Sequence, residues 1–261
     1  MIAQLIADAR KIIVKFGSNT LANSEGKINP QLLLEFADQA ASLIRNGKQI
    51  VVVSSGAQIA GLSKLDRWAR KKDIHYRQAL CAVGQVELMD AWRRAFEQHD
   101  FQIAQILLTR EDFSDSIRTL NMRNTLFTLV DEGIIPIINE NDTVSVEEIK
   151  IGDNDTLAAQ SAILWSADLL ILFSDIDGVY DKNPKEYADA SLIEEVRDIC
   201  ALRENISIGE ANDFGTGGIA TKLDAAKLAL SFGIPTILTH GGKPRSLETL
   251  AAGRQKGTAF L

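Results

Sequence analysis

Chemistry collects in this 261-residue chain where apolar runs give way to lysine, glycine, asparagine and aspartate. The first run ends in Lys15-Phe16-Gly17-Ser18. A lysine at the end of an apolar strand, followed by glycine, is a candidate phosphate ligand; the plain alternative is a lysine snorkelling at a sheet edge. A second run ends in Ser54-Ser55-Gly56-Ala57. Gly56 lets backbone come close to a ligand, and a helix starting there turns its N–H groups toward an anion such as a carboxylate. A simple serine helix cap explains the same residues. Asn139-Glu140-Asn141-Asp142 and Gly152-Asp153-Asn154-Asp155 form two carboxylate and amide clusters on either side of one short segment. Together they suit a site that grips an ammonium group and orients lysines; they also suit turns. Ser174-Asp175-Ile176-Asp177-Gly178 closes a further run. Gly215-Thr216-Gly217-Gly218-Ile219-Ala220-Thr221-Lys222 opens a helical pattern with a lysine in its first turn, a good phosphate cradle.

The elements that must position these residues follow from periodicity. Strands are expected at Lys11–Phe16, Gln49–Val53, Ile103–Leu108, Ile134–Ile138, Leu169–Phe173 and Pro235–Leu238. They are apolar throughout rather than alternating, as in parallel strands buried on both faces. Gln31–Arg45 and Ile219–Leu230 carry apolar residues at helical spacing. The alternation predicts an α/β fold, a three-layer αβα sandwich around a mainly parallel open sheet. Ligands of such sheets bind beyond the carboxyl ends of the strands. Thr143–Ile151 alternates and reads as a small hairpin or edge element. Asp181–Ala190 and Asn205–Gly218 read as the longest irregular stretches.

Composition excludes other classes. There are 28 Lys and Arg against 35 Asp and Glu, a formal charge of −7. Such a balance argues against nucleic-acid and anionic-membrane partners. No run reaches the roughly 20 apolar residues a membrane helix needs. Two cysteines, Cys81 and Cys200, without a leader-like N-terminus point to a cytoplasmic setting. The three histidines make no metal-ligand spacing. Trp68, Trp92 and Trp165 fall on helical patterns and read as packing residues. Two look-alikes carry little weight. GTGGIA fits the loose GxGxxA dinucleotide pattern but follows a polar stretch rather than a strand. DIDGVYD fits the DxDG loop of dehalogenase-type phosphatases but comes after several βα units.

Taken in order, KFGSNTL, VVVSSGAQIAG, AVGQ, LLTRED, RNTL, PIINENDTV, KIGDNDTLAA, LLILFSDIDGVYD and GTGGIATKLDAA resemble the amino-acid kinase family, and within it the glutamate 5-kinases. The likeness runs from about Lys11 to Phe260. It implies the amino-acid kinase fold and transfer of the ATP γ-phosphoryl group to the side-chain carboxylate of L-glutamate, the first step of proline biosynthesis. Lys15, Lys222 and Asp155 would be catalytic. Ser55, Gly56, Ala57, Asn139, Asp142, Asp153 and Asn154 would bind glutamate. Lys15, Ser174, Asp175, Thr216, Gly217, Gly218, Ile219, Ala220, Thr221 and Lys222 would bind ATP. Mg²⁺ would arrive with ATP, held chiefly by phosphate oxygens and water rather than by the protein alone.

The resemblance further implies a single kinase domain over 1–261, with a glutamate-binding lobe of about 1–167 and a nucleotide-binding lobe of about 168–261. Many members continue into a C-terminal RNA-binding-type domain called PUA, which this chain lacks; it is either a short natural form or a cut one. Also implied are a homodimer or homotetramer, feedback inhibition by proline, and hand-over of the product to glutamate-5-phosphate reductase. The competing readings are another amino-acid or carbamate kinase of the same fold, and a non-catalytic amino-acid sensor.

Overall fold

A computed structural model describes residues 1–65, 73–145, 154–184, 186–206 and 218–261. Among them eight strands form one sheet in the order β3-β4-β2-β1-β5-β7-β8-β6. The strands are β1 (Lys11–Phe16), β2 (Gln49–Ser54), β3 (Ile103–Leu108), β4 (Ile135–Glu140), β5 (Leu169–Ser174), β6 (Glu195–Val196), β7 (Thr236–His240) and β8 (Thr258–Phe260). Every pairing is parallel except β7 with β8, which is antiparallel. This is the mainly parallel open sheet the apolar runs predict.

The helices are α1 (Ile2–Asp8), α2 (Ser18–Leu21), α3 (Pro30–Arg45), α4 (Ala57–Leu65), α5 (Ile74–Glu97), α6 (Ser116–Asp131), α7 (Asn154–Trp165), α8 (Ile199–Asn205), α9 (Ile219–Leu230) and α10 (Ser246–Ala251). They divide between the two faces of the sheet, and each face has its own core. One core joins Ile12, Val14, Phe16, Val52, Ile171 and Phe173 to α3 and α5. The other joins Ile13, Val51, Val53, Leu170 and Leu172 to α7 and α9. Side chains alternate along a strand. Lys15 therefore leaves β1 on the side of Ile13, toward α7 and α9. The core beneath α3 is aromatic: Phe16 lies 4.8 Å from Phe36 and 5.1 Å from Phe173, ring centre to ring centre. Trp92 and Trp165 are fully buried, as packing residues should be; Trp68 lies outside the described residues.

Some element bounds differ from expectation. β4 starts one residue later than the apolar run and extends two residues further, through Asn139 and Glu140. Polar residues are poor strand formers, but here they pair with Leu107 and Leu108 of β3, and that ladder keeps them extended. β6 and β8 have two and three residues, too few to make a visible pattern. Thr143 and Val144 sit in a turn closed by Val144 N–H on Asn141 C=O at 3.1 Å. The rest of the expected hairpin, 146–151, lies outside the described residues, as does most of the 205–218 stretch.

Two helices meet with no side chain between them. A Cβ on Gly84 of α5 would lie 1.7 Å from the Ala57 carbonyl oxygen, and one on Gly61 of α4 would lie 2.0 Å from that of Leu80. α5 is thus pressed against the first turn of α4, directly behind the Ser54–Gly56 loop.

Candidate functional site

The carboxyl end of β1 sits between β2 and β5, in register with Val53–Ser54 on one side and Leu172–Phe173 on the other. It is where polar side chains from both halves of the sheet converge. Lys15 Nζ donates to Asp155 Oδ1 at 2.5 Å. Lys222 Nζ donates to Asp155 Oδ2 at 3.1 Å, and Thr221 Oγ1 lies 2.9 Å from the same oxygen. Asp155 is completely buried, and Lys15 and Lys222 are 3% and 7% exposed. Burial of this kind is tolerated only when charges are paired. Burial alone pushes the Asp155 carboxyl up, but the ammonium groups of Lys15 and Lys222 outweigh it and hold the carboxyl below the usual range. Lys222 moves below the ordinary lysine value: burial and the Lys15 ammonium lower it, against the opposing pull of Asp155. Two cations on one anion leave the cluster with a net positive charge, which suits an anionic ligand.

The local sequence explains this convergence. Residues 154 and 155 form the start of α7, and Lys222 lies in the first turn of α9. Both helices begin at the carboxyl ends of the strands, and their leading N–H groups add positive potential there. Gly218 is the N-cap of α9 with extended backbone, and a Cβ there would meet nothing within 4 Å among the described residues.

A second network begins one residue away. Asn154 Nδ2 donates to Ser55 Oγ and to Asn139 Oδ1, each at 2.8 Å. Asn139 Oδ1 also accepts the Glu140 backbone N–H at 2.9 Å, while Asn139 Nδ2 donates to Gln85 Oε1 at 2.8 Å. Ser55, Asn139 and Asn154 are all buried. The loop before α4 is fixed from beneath. Trp92 Nε1 donates to Ser54 Oγ at 2.9 Å, and Ser55 N–H donates to Phe16 C=O at 3.1 Å. Gly56 has φ of +106°, a backbone conformation L side chains rarely adopt. A Cβ there would also approach Leu21 Cδ1 to 3.1 Å. Asp142 is buried, and its backbone carbonyl accepts from Gln78 Nε2 at 3.0 Å.

On the other side of β1, Ser174 closes β5 and donates to the exposed Asp175 at 3.1 Å. Asn19 Nδ2 reaches Asp175 Oδ2 at 3.4 Å. A cavity of about 400 Å³ is lined by Asp177, Tyr180, Ser191, Leu192, Glu194 and Lys256. Tyr180 and Lys256 had no role in the sequence reading; Tyr180 belongs to the DIDGVYD run, the one signal that pointed here.

The geometry thus joins Lys15, Asp155, Thr221 and Lys222 in one cluster, and Ser55, Asn139 and Asn154 in another. Gly56 and Ala57 follow Ser55 directly. Ile219 and Ala220 open α9 without side-chain polar groups. Asp153, Thr216 and Gly217 lie outside the described residues. Gln85 is the buried member of the second cluster that residue types alone did not single out. Its sequence signals are helical spacing from Cys81, Leu88 and Trp92 and the neighbouring Gly84, within AVGQ.

Among the described residues, no group of three or more His, Cys, Asp and Glu is arranged to hold a metal, and no helix is long and apolar enough to cross a membrane. Residues 10–240 match the amino acid kinase family. The chain is 62% identical over 260 residues to glutamate 5-kinase of Alkaliphilus metalliredigens, covering 100% of this chain and 98% of that one. It is 56% identical over 261 residues to glutamate 5-kinase of Alkaliphilus oremlandii, covering 100% and 99%. Among solved structures, carbamate kinase from Giardia lamblia bound to AMP-PNP superposes with a TM-score of 0.68 at 14% identity, covering 98% of this chain and 99% of that one, a likeness of fold. With the fold, the strand-end cluster and these relatives in agreement, the chain belongs to the amino acid kinase family.

Proposed function

We infer that the chain is an ATP-dependent kinase that transfers the γ-phosphoryl group of ATP to the side-chain carboxylate of L-glutamate, giving L-glutamate 5-phosphate and ADP in proline biosynthesis. The observation that carries this reading is the buried Lys15–Asp155–Lys222 cluster, set one residue from the Asn154–Asn139–Ser55 network. The relatives that are glutamate 5-kinases, at 62% and 56% identity, support the choice of acceptor.

The acceptor carboxylate is already ionised at pH 7, its unperturbed pKa being about 4.3. The reaction needs no general base, and the site offers alignment and charge neutralisation instead. Lys15 and Lys222 stabilise the charge that develops on the transferring phosphoryl group. Asp155 keeps the two ammonium groups close despite their mutual repulsion. Ser55, Asn139, Asn154 and Asp142, with Asp153, hold the amino-acid acceptor, and the amides of Gly56 and Ala57 meet one of its carboxylates. Ser174, Asp175 and the 216–222 segment hold ATP. The cavity at Tyr180 and Lys256 lies on this nucleotide side, and its volume is in the range of small-ligand pockets.

A divalent metal arriving with ATP would supply further charge neutralisation. Both oxygens of Asp155 are engaged by lysines, which fits Mg²⁺ held mainly by phosphate and water, with Asp175 the nearest exposed acid along β5. On this reading the chain works as one kinase domain in the cytoplasm. Its acceptor lobe is about 1–167 and its nucleotide lobe about 168–261. It acts as a homodimer or homotetramer, is restrained by proline, and passes its product to glutamate-5-phosphate reductase.

Incubation with glutamate, Mg-ATP and hydroxylamine tests this, because an acyl phosphate is trapped as a hydroxamate. Glutamate-dependent hydroxamate is expected. Folded protein that yields none refutes the reading, and a stronger signal with aspartate, acetylglutamate or carbamate assigns a different acceptor.

A further inference from the structure

We propose that Gln85 is a positioning residue for acceptor recognition: its side-chain oxygen fixes the amide of Asn139, and through it that of Asn154. The proposal rests on the reading of Ser55, Asn139 and Asn154 as the amino-acid end of the site.

The direction of every hydrogen bond in this network follows from one group that cannot be reversed. The Glu140 backbone N–H can only donate, and it donates to Asn139 Oδ1. Asn139 therefore turns its oxygen toward Glu140 and Asn154 and its NH₂ toward Gln85. Gln85 must then present Oε1, not Nε2. The second amide, Asn154, gives its NH₂ to Asn139 and Ser55, so its own orientation is set by the same sequence of bonds.

This arrangement has a cost at Gln85. The side chain is 9% exposed, and its Nε2 finds no acceptor among the described residues. A buried donor without a partner is unfavourable and rare. An apolar side chain would avoid the cost but would leave the Asn139 NH₂ unpaired and free to rotate. What the glutamine supplies in return is its acceptor. Its placement is equally constrained, because the preceding Gly84 brings α5 against the Ala57 carbonyl oxygen, at the start of the helix that follows Ser55 and Gly56. The second helix behind the loop thus supplies the outermost member of the network.

The test compares the parent with Gln85→Met, which keeps the length and removes the acceptor, and with Gln85→Glu, which keeps an acceptor toward Asn139. Hydroxamate formation gives KM for glutamate and for ATP, and thermal denaturation checks folding. Q85M is expected to raise the glutamate KM at least fivefold while the ATP KM stays within twofold. Q85E is expected to recover most of the loss. A smaller rise with Q85M, an equal rise in both KM values, or a Q85E variant as impaired as Q85M overturns the proposal. If Q85M does not fold, Gln85→Ser replaces it under the same criteria. A parent enzyme that makes no glutamate hydroxamate overturns the functional reading and the proposal with it, an outcome visible in the parent alone.

Discussion

Lys15 and Lys222 hold opposite oxygens of a single carboxylate, that of Asp155, at 2.5 and 3.1 Å. One lysine comes from the central strand and the other from the first turn of α9. Neither would keep its ammonium group buried without the shared anion, and the anion would not stay ionised without them. Structure and proposed chemistry therefore depend on the same three groups.

Removal of the shared anion is the most direct test. Asp155→Ala leaves two ammonium groups buried without a counter-charge. Breaking a buried pair from one side costs about 3–5 kcal/mol. Denaturant unfolding should show a loss of that order, and kcat should fall on the order of a hundredfold. ATP should stabilise the variant more than it stabilises the parent, because phosphate oxygens then supply the missing charge. A variant with parental stability would contradict this account.

Lys15→Ala should lower kcat on the order of a hundredfold or more, the range seen when one electrostatic stabiliser is lost. Lys15→Arg should not restore it. The lysine is 3% exposed, and a planar guanidinium is a poor substitute for a compact ammonium in such a space. Single-turnover rates would show whether the loss falls on phosphoryl transfer.

The two shifted groups predict opposite limbs of a pH profile. Asp155 titrates lower in the folded state than in the unfolded one. Its contribution to stability is fully present above the unfolded carboxylate pKa, about 3.9, and is lost as pH falls through the lower folded value. Lys222 is also lowered. As pH rises from its folded pKa toward the unfolded value of 10.5, the unfolded chain holds more protons, so this group's burial penalty is relieved and stability rises. Activity moves the other way, since the neutral amine no longer stabilises phosphate. The alkaline limb of kcat/KM, which reports the free enzyme, should therefore fall below the ordinary lysine range. In Lys222→Arg, whatever its residual rate, that limb should move up or vanish. An unmoved limb would assign it to another group.

Gly84→Ala tests how the acceptor loop is supported. The added methyl would sit 1.7 Å from the Ala57 carbonyl oxygen, so α5 must move away from α4. Overpacking of this kind costs about 1–3 kcal/mol. A rise in glutamate KM larger than any rise in ATP KM should accompany it, measured by the hydroxamate assay.

The sheet was largely legible before the structure, because strands buried on both faces are apolar without interruption. Lys11–Phe16 and Ile103–Leu108 have their expected bounds. β4 was underestimated because Asn139 and Glu140 are extended by pairing with β3, a tertiary effect outside a local pattern. Lys15, the Asn154-Asp155 pair and Lys222 stand out by residue type at the ends of apolar runs and the start of a helix, while their separate roles come from the resemblance to known kinases. Their spacing along the chain says nothing of one carboxylate shared by two cations. Gln85 was passed over because a glutamine within a long helix normally faces water. Its place at helical spacing from the buried Cys81, Leu88 and Trp92 turns it inward, beside the Gly84–Ala57 contact.

Asn154 and Asp155 are neighbours in the chain, yet one serves the amide network and the other the two lysines. Their Cα atoms are about 3.8 Å apart, as across any trans peptide. The spacing between the part of the site that recognises an amino acid and the part that handles phosphate is therefore not left to loops that can drift. On the proposed reading, amino-acid recognition and phosphate handling share one backbone anchor at the start of α7, so a shift of that helix moves both together.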